Sequence, residues 1–229
     1  MRSGFFRRNA FLLTGFLSAV CVFSGVFYSR VLLRAEVVDC SRSFYFLVSE
    51  EENAAAAAQS VALDGGAGYV MRRFGNEYAV MACYFTEPAA RAVQHTLSVR
   101  EIPSRILEES GGTLYLTTNS EKRNAEKLKG CFHTLGDCVS LLYDLATAAE
   151  TGGYTQQELK RILADVGGVL SRLSEENREG IFTGISACAA TASAEIARIR
   201  RDIVYAKDLR YIQVWLSDQY LLLAEDFSV

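Results

Sequence analysis

Hydrophobic and polar positions divide the chain into three stretches of different period. Ala10–Ser29 reads AFLLTGFLSAVCVFSGVFYS without a charge. At ~1.5 Å per residue, about 20 helical residues span ~30 Å, the thickness of a bilayer's hydrocarbon core. The run therefore predicts a spanning helix, with Phe5, Phe6, Phe27 and Tyr28 near its ends at headgroup level. A basic start and an apolar run also describe a signal peptide. No A-x-A-like cleavage site follows, however, and the run is longer than a usual signal core.

The second stretch alternates short apolar runs with helical ones. Ser43–Ser49, SFYFLVS, reads as a buried strand that stops at Glu50, Glu51 and Glu52. Asn53 caps an alanine-rich helix from Ala54 that ends at Gly65 and Gly66. Tyr69–Phe74 and Glu77–Tyr84 read as two strands joined at Gly75 and Asn76, a two-residue hairpin signal. Thr86 then caps a second helix through about Ser98, and Ser104–Leu107 closes the order with a strand. Strand, helix, strand, strand, helix, strand is the ferredoxin-like, split βαβ order, with helices on one sheet face and the other face open.

The third stretch has helical period throughout. Leu114–Leu116 reads as a connector, and Asn119 or Ser120 starts a helix to about Glu150. That helix carries one stripe of Leu128, Phe132, Leu135, Val139, Leu142 and Ala146. Thr155 and Glu158 have capping-box spacing ahead of the stripe Leu159, Ile162, Val166, Val169 and Leu173. From Phe182 the apolar spacing runs to Leu223, as one helix or as two bent near Tyr205–Asp208. The chain is thus expected to be α+β: an N-terminal transmembrane helix within residues 1–34, a ferredoxin-like βαββαβ module over 43–108, and an antiparallel helical bundle over 119–226.

Charge sharpens the picture. Residues 1–34 carry five arginines and no carboxylate, which leaves −8 for the rest of a chain whose formal net charge is −3. So acidic a body disfavours nucleic acid. Arg2, Arg7 and Arg8 outweigh Arg30 and Arg34, which are followed by Glu36 and Asp39, and this bias predicts a cytoplasmic N-terminus. The expected location is the cell membrane, single-pass through residues 10–29, with the later domains extracytoplasmic.

Candidate chemistry is sparse. Cys40, Cys83, Cys131, Cys138 and Cys188 follow the apolar run without a CxxC pair, and Cys131 and Cys138 stand about 10.5 Å apart along one helix, beyond disulfide reach. Only His95 and His133 are present, and neither lies near a nucleophile motif. No metal site, cofactor or catalytic residue is expected, and the chain is read as a non-enzyme.

The second stretch resembles the SPOR domain, a bacterial extracytoplasmic module associated with peptidoglycan at division and sporulation sites. Phe44–Val48 is similar to its opening strand of two aromatics followed by Val-Gln-Val. Tyr78–Phe85 is similar to its central Tyr-Arg-Val-Arg-Val-Gly-Pro-Phe stretch. Thr86–Arg91 and Ile102–Leu107 resemble its second helix and its Gly-Ile-Pro-Ala-Arg-Ile ending. Leu47 stands where the family commonly has Gln, Ala79 and Met81 where it has Arg, and Cys83 where it has Gly. The resemblance implies binding of peptidoglycan glycan strands through the open sheet face, in cell division or sporulation.

With a turn at Gly75 and Asn76, Arg72 pairs with Ala79 and Val70 with Met81. Strand alternation then places Tyr45, Leu47, Val70, Arg72, Ala79, Met81 and Cys83 on the open face, with Phe46, Val48, Tyr78 and Val80 under the helices. Only Tyr45 and Arg72 supply sugar-recognition chemistry there. The alternative is therefore a non-catalytic protein-interaction scaffold on a degenerate SPOR fold that has lost glycan binding, its apolar sheet face docked on a cell-envelope protein or on the chain's own helices.

Overall fold

Strand β2, Ser43–Ser49, has Phe44, Phe46 and Val48 fully buried on one face and Leu47 buried on the other. The computed structural model describes residues 36–116 and 122–227 of the chain. After β1, Glu36–Asp39, and β2 come α1, Ala54–Leu63; β3, Tyr69–Arg73; β4, Asn76–Tyr84; α2, Glu87–Val99; β5, Ser104–Ser110; and β6, Thr113–Leu116. Four helices follow: α3, Lys122–Thr151; α4, Gln156–Glu176; α5, Thr183–Ile199; and α6, Ala206–Phe227. The main sheet has the order β3-β4-β2-β5, with every neighbouring pair antiparallel. A second, two-stranded sheet pairs β1 with β6, so Leu114–Leu116 is a strand and not a connector.

The local signals that place these elements are caps and turns. The Asn53 side chain accepts from the Ala56 N–H at 3.0 Å and opens α1. At the other end Gly65, at φ +90°, turns the chain while the Gly66 N–H returns to the Val61 carbonyl. Gly68 cannot be replaced freely: a Cβ there would stand 2.6 Å from the Ala58 carbonyl oxygen, so α1 lies hard against the start of β3. Thr155 and Glu158 complete a capping box at the start of α4.

Two features depart from the strand pairing expected above. The hairpin turns on Phe74 and Gly75, both at positive φ (52° and 77°), and not on Gly75 and Asn76. Arg72 therefore pairs with Glu77 and Val70 with Ala79. Each partner moves by two residues, which leaves the side-chain parity of the hairpin intact. Parity is broken farther along, where Leu47 pairs with Ala82 but Val48 with Val80; Met81 is the extra residue of a β-bulge. Cys83 thereby turns to the face shared by Phe46 and Val80, away from Met81 and Ala82.

The α3 stripe Leu128, Phe132, Leu135, Val139, Leu142 and Ala146 is buried along its length. Helix α3 packs along α6, and α4 along α5. The helix ends after Ile199, and Ile203 stands exposed in the connection to α6. Helix α6 is buried on nearly every side, because it runs between the main sheet and the other helices.

The membrane expectation is corrected. Residues 10–29, the expected span, lie outside the described residues. Among the described residues, one helical stretch is long and apolar enough to cross a membrane, and it is Gly180–Ile199 toward the C-terminus. A fold class headed by an N-terminal transmembrane helix, and the single-pass cell-membrane topology with a cytoplasmic N-terminus built on it, are overturned by that position. The same stretch turns Ile185, Ala189, Ala192 and Ile196 into the bundle core against α4 and α6. Core helices of folded bundles share this length and composition with membrane spans.

Candidate functional site

The main sheet has one face under α1 and α2 and the other under the C-terminal bundle, and the expected site lies on the first. Val70 and Ala79 pack with Ala57 and Ala58 of α1. Leu47, 1% exposed, and Met81 line the space between α1 and α2. Leu47, Val70, Ala79 and Met81, assigned to an open face, thus sit beneath the module's own helices, and Phe46, Val48 and Val80 face the bundle. The reason is size. An alanine-rich helix can lie close only on small side chains such as Ala79, whereas the large Phe44, Phe46 and Met71 need a layer with bulk to fill.

Tyr45 and Arg72, the two residues with sugar-recognition chemistry, do not meet. Tyr45 pairs with Tyr84 at one end of β4 and Arg72 with Glu77 near the other. Seven residue steps along β4 separate those partners, at most about 23 Å at ~3.3 Å per residue. The Tyr45 hydroxyl donates to Glu108 at 3.2 Å, and the exposed Arg72 is paired with Glu77 at 2.8 Å. No joint aromatic and cationic platform is formed.

The opposite face, the one a SPOR-like module would leave open, is closed by α3 and α6. An aromatic seam crosses the contact: Phe44 lies 5.5 Å from Tyr220, ring centre to ring centre, and Tyr220 lies 5.0 Å from Phe132, both edge-on. Polar side chains in the seam meet across it, with Arg73 Nε left without a hydrogen-bond partner. Arg73 of β3 meets Asp218 of α6 at 2.5 Å, with side chains only 4% and 3% exposed. The Tyr69 hydroxyl donates to the second Asp218 carboxylate oxygen at 2.6 Å, and Gln213 donates to the Cys83 carbonyl at 3.3 Å. Burial pushes the Asp218 carboxyl above the usual carboxylate range, against the opposing pull of Tyr69 and Arg73.

Arg42, just before β2, is bound to α3: it donates to the Gly136 carbonyl and, at 2.9 Å, to Ser140 Oγ. Sequence reasoning missed this buried polar set. The pattern carried little signal, because Gln213, Ser217 and Asp218 beside the apolar stripe of α6 read as the solvated side of an amphipathic helix, yet all three are buried.

Thiol chemistry is suppressed. Cys40, Cys83, Cys131, Cys138 and Cys188 are all free and buried. Burial pushes the Cys40, Cys83 and Cys188 thiols up to about 12 and Cys138 to about 11. His133 lies 2.8 Å from Asp137 on the exposed side of α3, away from the buried Cys131. Among the described residues no group of three His, Cys, Asp or Glu is placed to hold a metal ion.

Two of the surface spaces lie away from the buried seam. A polar hollow of about 1070 Å³ lies between the β2–α1 loop and the hairpin turn; Glu50, Glu51, Glu52 and Glu77 line it with Arg105, which stacks 5.0 Å from the Tyr78 ring centre. The second space is the groove between α1 and α2, about 460 Å³, with an apolar floor. No known protein family, curated protein or solved structure matches the chain.

Proposed function

We propose that this protein is a non-catalytic protein-interaction scaffold built on a degenerate SPOR-like fold that has lost glycan binding. The observation that carries the reading is the closure of the otherwise open sheet face by α3 and α6, sealed by the Arg73–Asp218 pair and the Phe44–Tyr220–Phe132 seam. A glycan strand has no access to that face without opening a buried core. Leu47, Ala79 and Met81 lie on the other face, against α1 or along the groove between α1 and α2, so the closed face carries the reading without them. The peptidoglycan role in division or sporulation expected from the resemblance is set aside on the same ground.

The full chain is expected to stay in the supernatant when sedimented with peptidoglycan sacculi, whether normal or stripped of stem peptides by amidase. Saturable pelleting with the stripped walls would overturn the reading.

A further inference from the structure

We propose that the groove between α1 and α2 is the docking site of a partner segment whose apolar residues are bounded by a basic residue at each end. The inference rests on the scaffold reading and gives it a partner chemistry. Leu47 and Ala82, side by side on β2 and β4, form the floor, and the bulge brings Met81 to it. The Met81 carbonyl is held by the Ala67 N–H at 2.7 Å, so the bulge is a fixed part of the floor. Val61 of α1 and Val93 and Leu97 of α2 form the walls.

Both ends of the groove are acidic. Glu51 and Glu101 lie with Ser49 and Ile102 at the end where β2 leaves the sheet, and Asp64 lies at the end where α1 stops. The cation among the lining residues, Arg210, is already engaged: it donates to the Gly65 carbonyl at 2.8 Å and is paired with Glu150. Glu51, Asp64 and Glu101 form no ion pair among the described residues. The placement of Glu101 is locally fixed. It takes the left-handed position after α2, at φ 57°, where helices usually have Gly, and the Ile102 N–H returns to the Leu97 carbonyl.

Apolar contact supplies affinity in such a groove, and unpaired carboxylates at its ends select against acidic segments and set the orientation of basic ones. The volume suits a few side chains and not a folded domain. Ten residues of α1 span about 15 Å, which an extended segment covers with about five residues. The occupant is accordingly short, apolar in its middle and cationic at both ends.

The test uses two acetylated, amidated pentapeptides, Arg-Leu-Val-Leu-Arg and Glu-Leu-Val-Leu-Glu, titrated into the isotope-labelled full chain and followed by amide chemical shifts. The arginine peptide is expected to shift Leu47, Met81, Ala82 and Leu97 saturably, and the glutamate peptide to leave them unmoved. Glu51→Gln, Asp64→Asn and Glu101→Gln together, at surface positions, should weaken the arginine peptide at least tenfold without changing the thermal midpoint. No shifts from either peptide, equal shifts from both, shifts mapping elsewhere, or undiminished binding to the triple variant would each overturn the proposal. Pelleting with sacculi would instead sink the scaffold reading itself, whatever the peptides do, so the two failures are told apart.

Discussion

The two faces of the main sheet are closed by different means. Toward the bundle lie Phe44, Phe46 and Met71, all fully buried, with an aromatic seam and a buried ion pair between β3 and α6. Toward α1 and α2 lie Ala79, Val70 and the bulged Met81, with alanine packed on alanine and a groove left between the helices. The first face is a core that joins two structural layers; the second is thin and retains open space. Binding opportunity therefore sits on the side where the residues are small.

The largest effect should come from the ion pair. Asp218→Ala leaves the Arg73 guanidinium buried without its carboxylate and removes the acceptor of the Tyr69 hydroxyl. We expect a loss of about 3–5 kcal/mol in urea denaturation. Replacing both partners by apolar residues, Arg73→Met with Asp218→Leu, should recover most of that loss, because no charge is then stranded. A single-variant loss below about 1 kcal/mol would mean that the sheet and α6 separate without unfolding, and the distinction between the two faces would collapse.

On the other face the limiting quantity is space. Ala79 is 2% exposed beneath Ala57 and Ala58, so Ala79→Leu must push α1 outward. The expected cost is about 1–3 kcal/mol by the same denaturation, typical of overpacking. If the substitution were neutral, α1 would not be seated on the sheet as tightly as the alanine contacts require.

This size match explains what was legible in the sequence and what was not. The strand and helix positions of residues 43–110 follow from period, caps and glycines, as with Asn53 and Gly65 around α1. The facing of the sheet did not follow, because β2 is apolar on both sides: Phe46 and Leu47 are equally buried. Alternation separates two faces but does not say which layer each one meets. The alanine run of α1 held the missing information, since it demands small partners. Two further elements carried weak signals. The bulge at Met81 has no glycine to mark it, and β1 with β6 is a four-residue pairing whose partners are far apart in sequence. Of the candidate site, the apolar character of Leu47 and Met81 was legible, but the face they occupy and the groove they line required the three-dimensional register.

The smallest effect tests the hinge of that register, the hairpin tip. Phe74 is 84% exposed at φ 52°, a conformation that costs an ordinary residue about 1–2 kcal/mol and that asparagine adopts more readily. Its ring is mostly in solvent, so little burial offsets the backbone cost. Phe74→Asn, which gives the Asn-Gly pair favoured in such two-residue turns, should raise stability by up to about 1 kcal/mol in thermal or urea unfolding. The pairing of Arg72 with Glu77 and of Val70 with Ala79 must persist in the variant, readable as cross-strand amide contacts. A loss of stability would instead show that the Phe74 ring makes a contact worth more than the turn strain. A changed pairing would show that this bulky residue, and not the glycine beside it, holds the hairpin in the register that puts Val70 and Ala79 under α1.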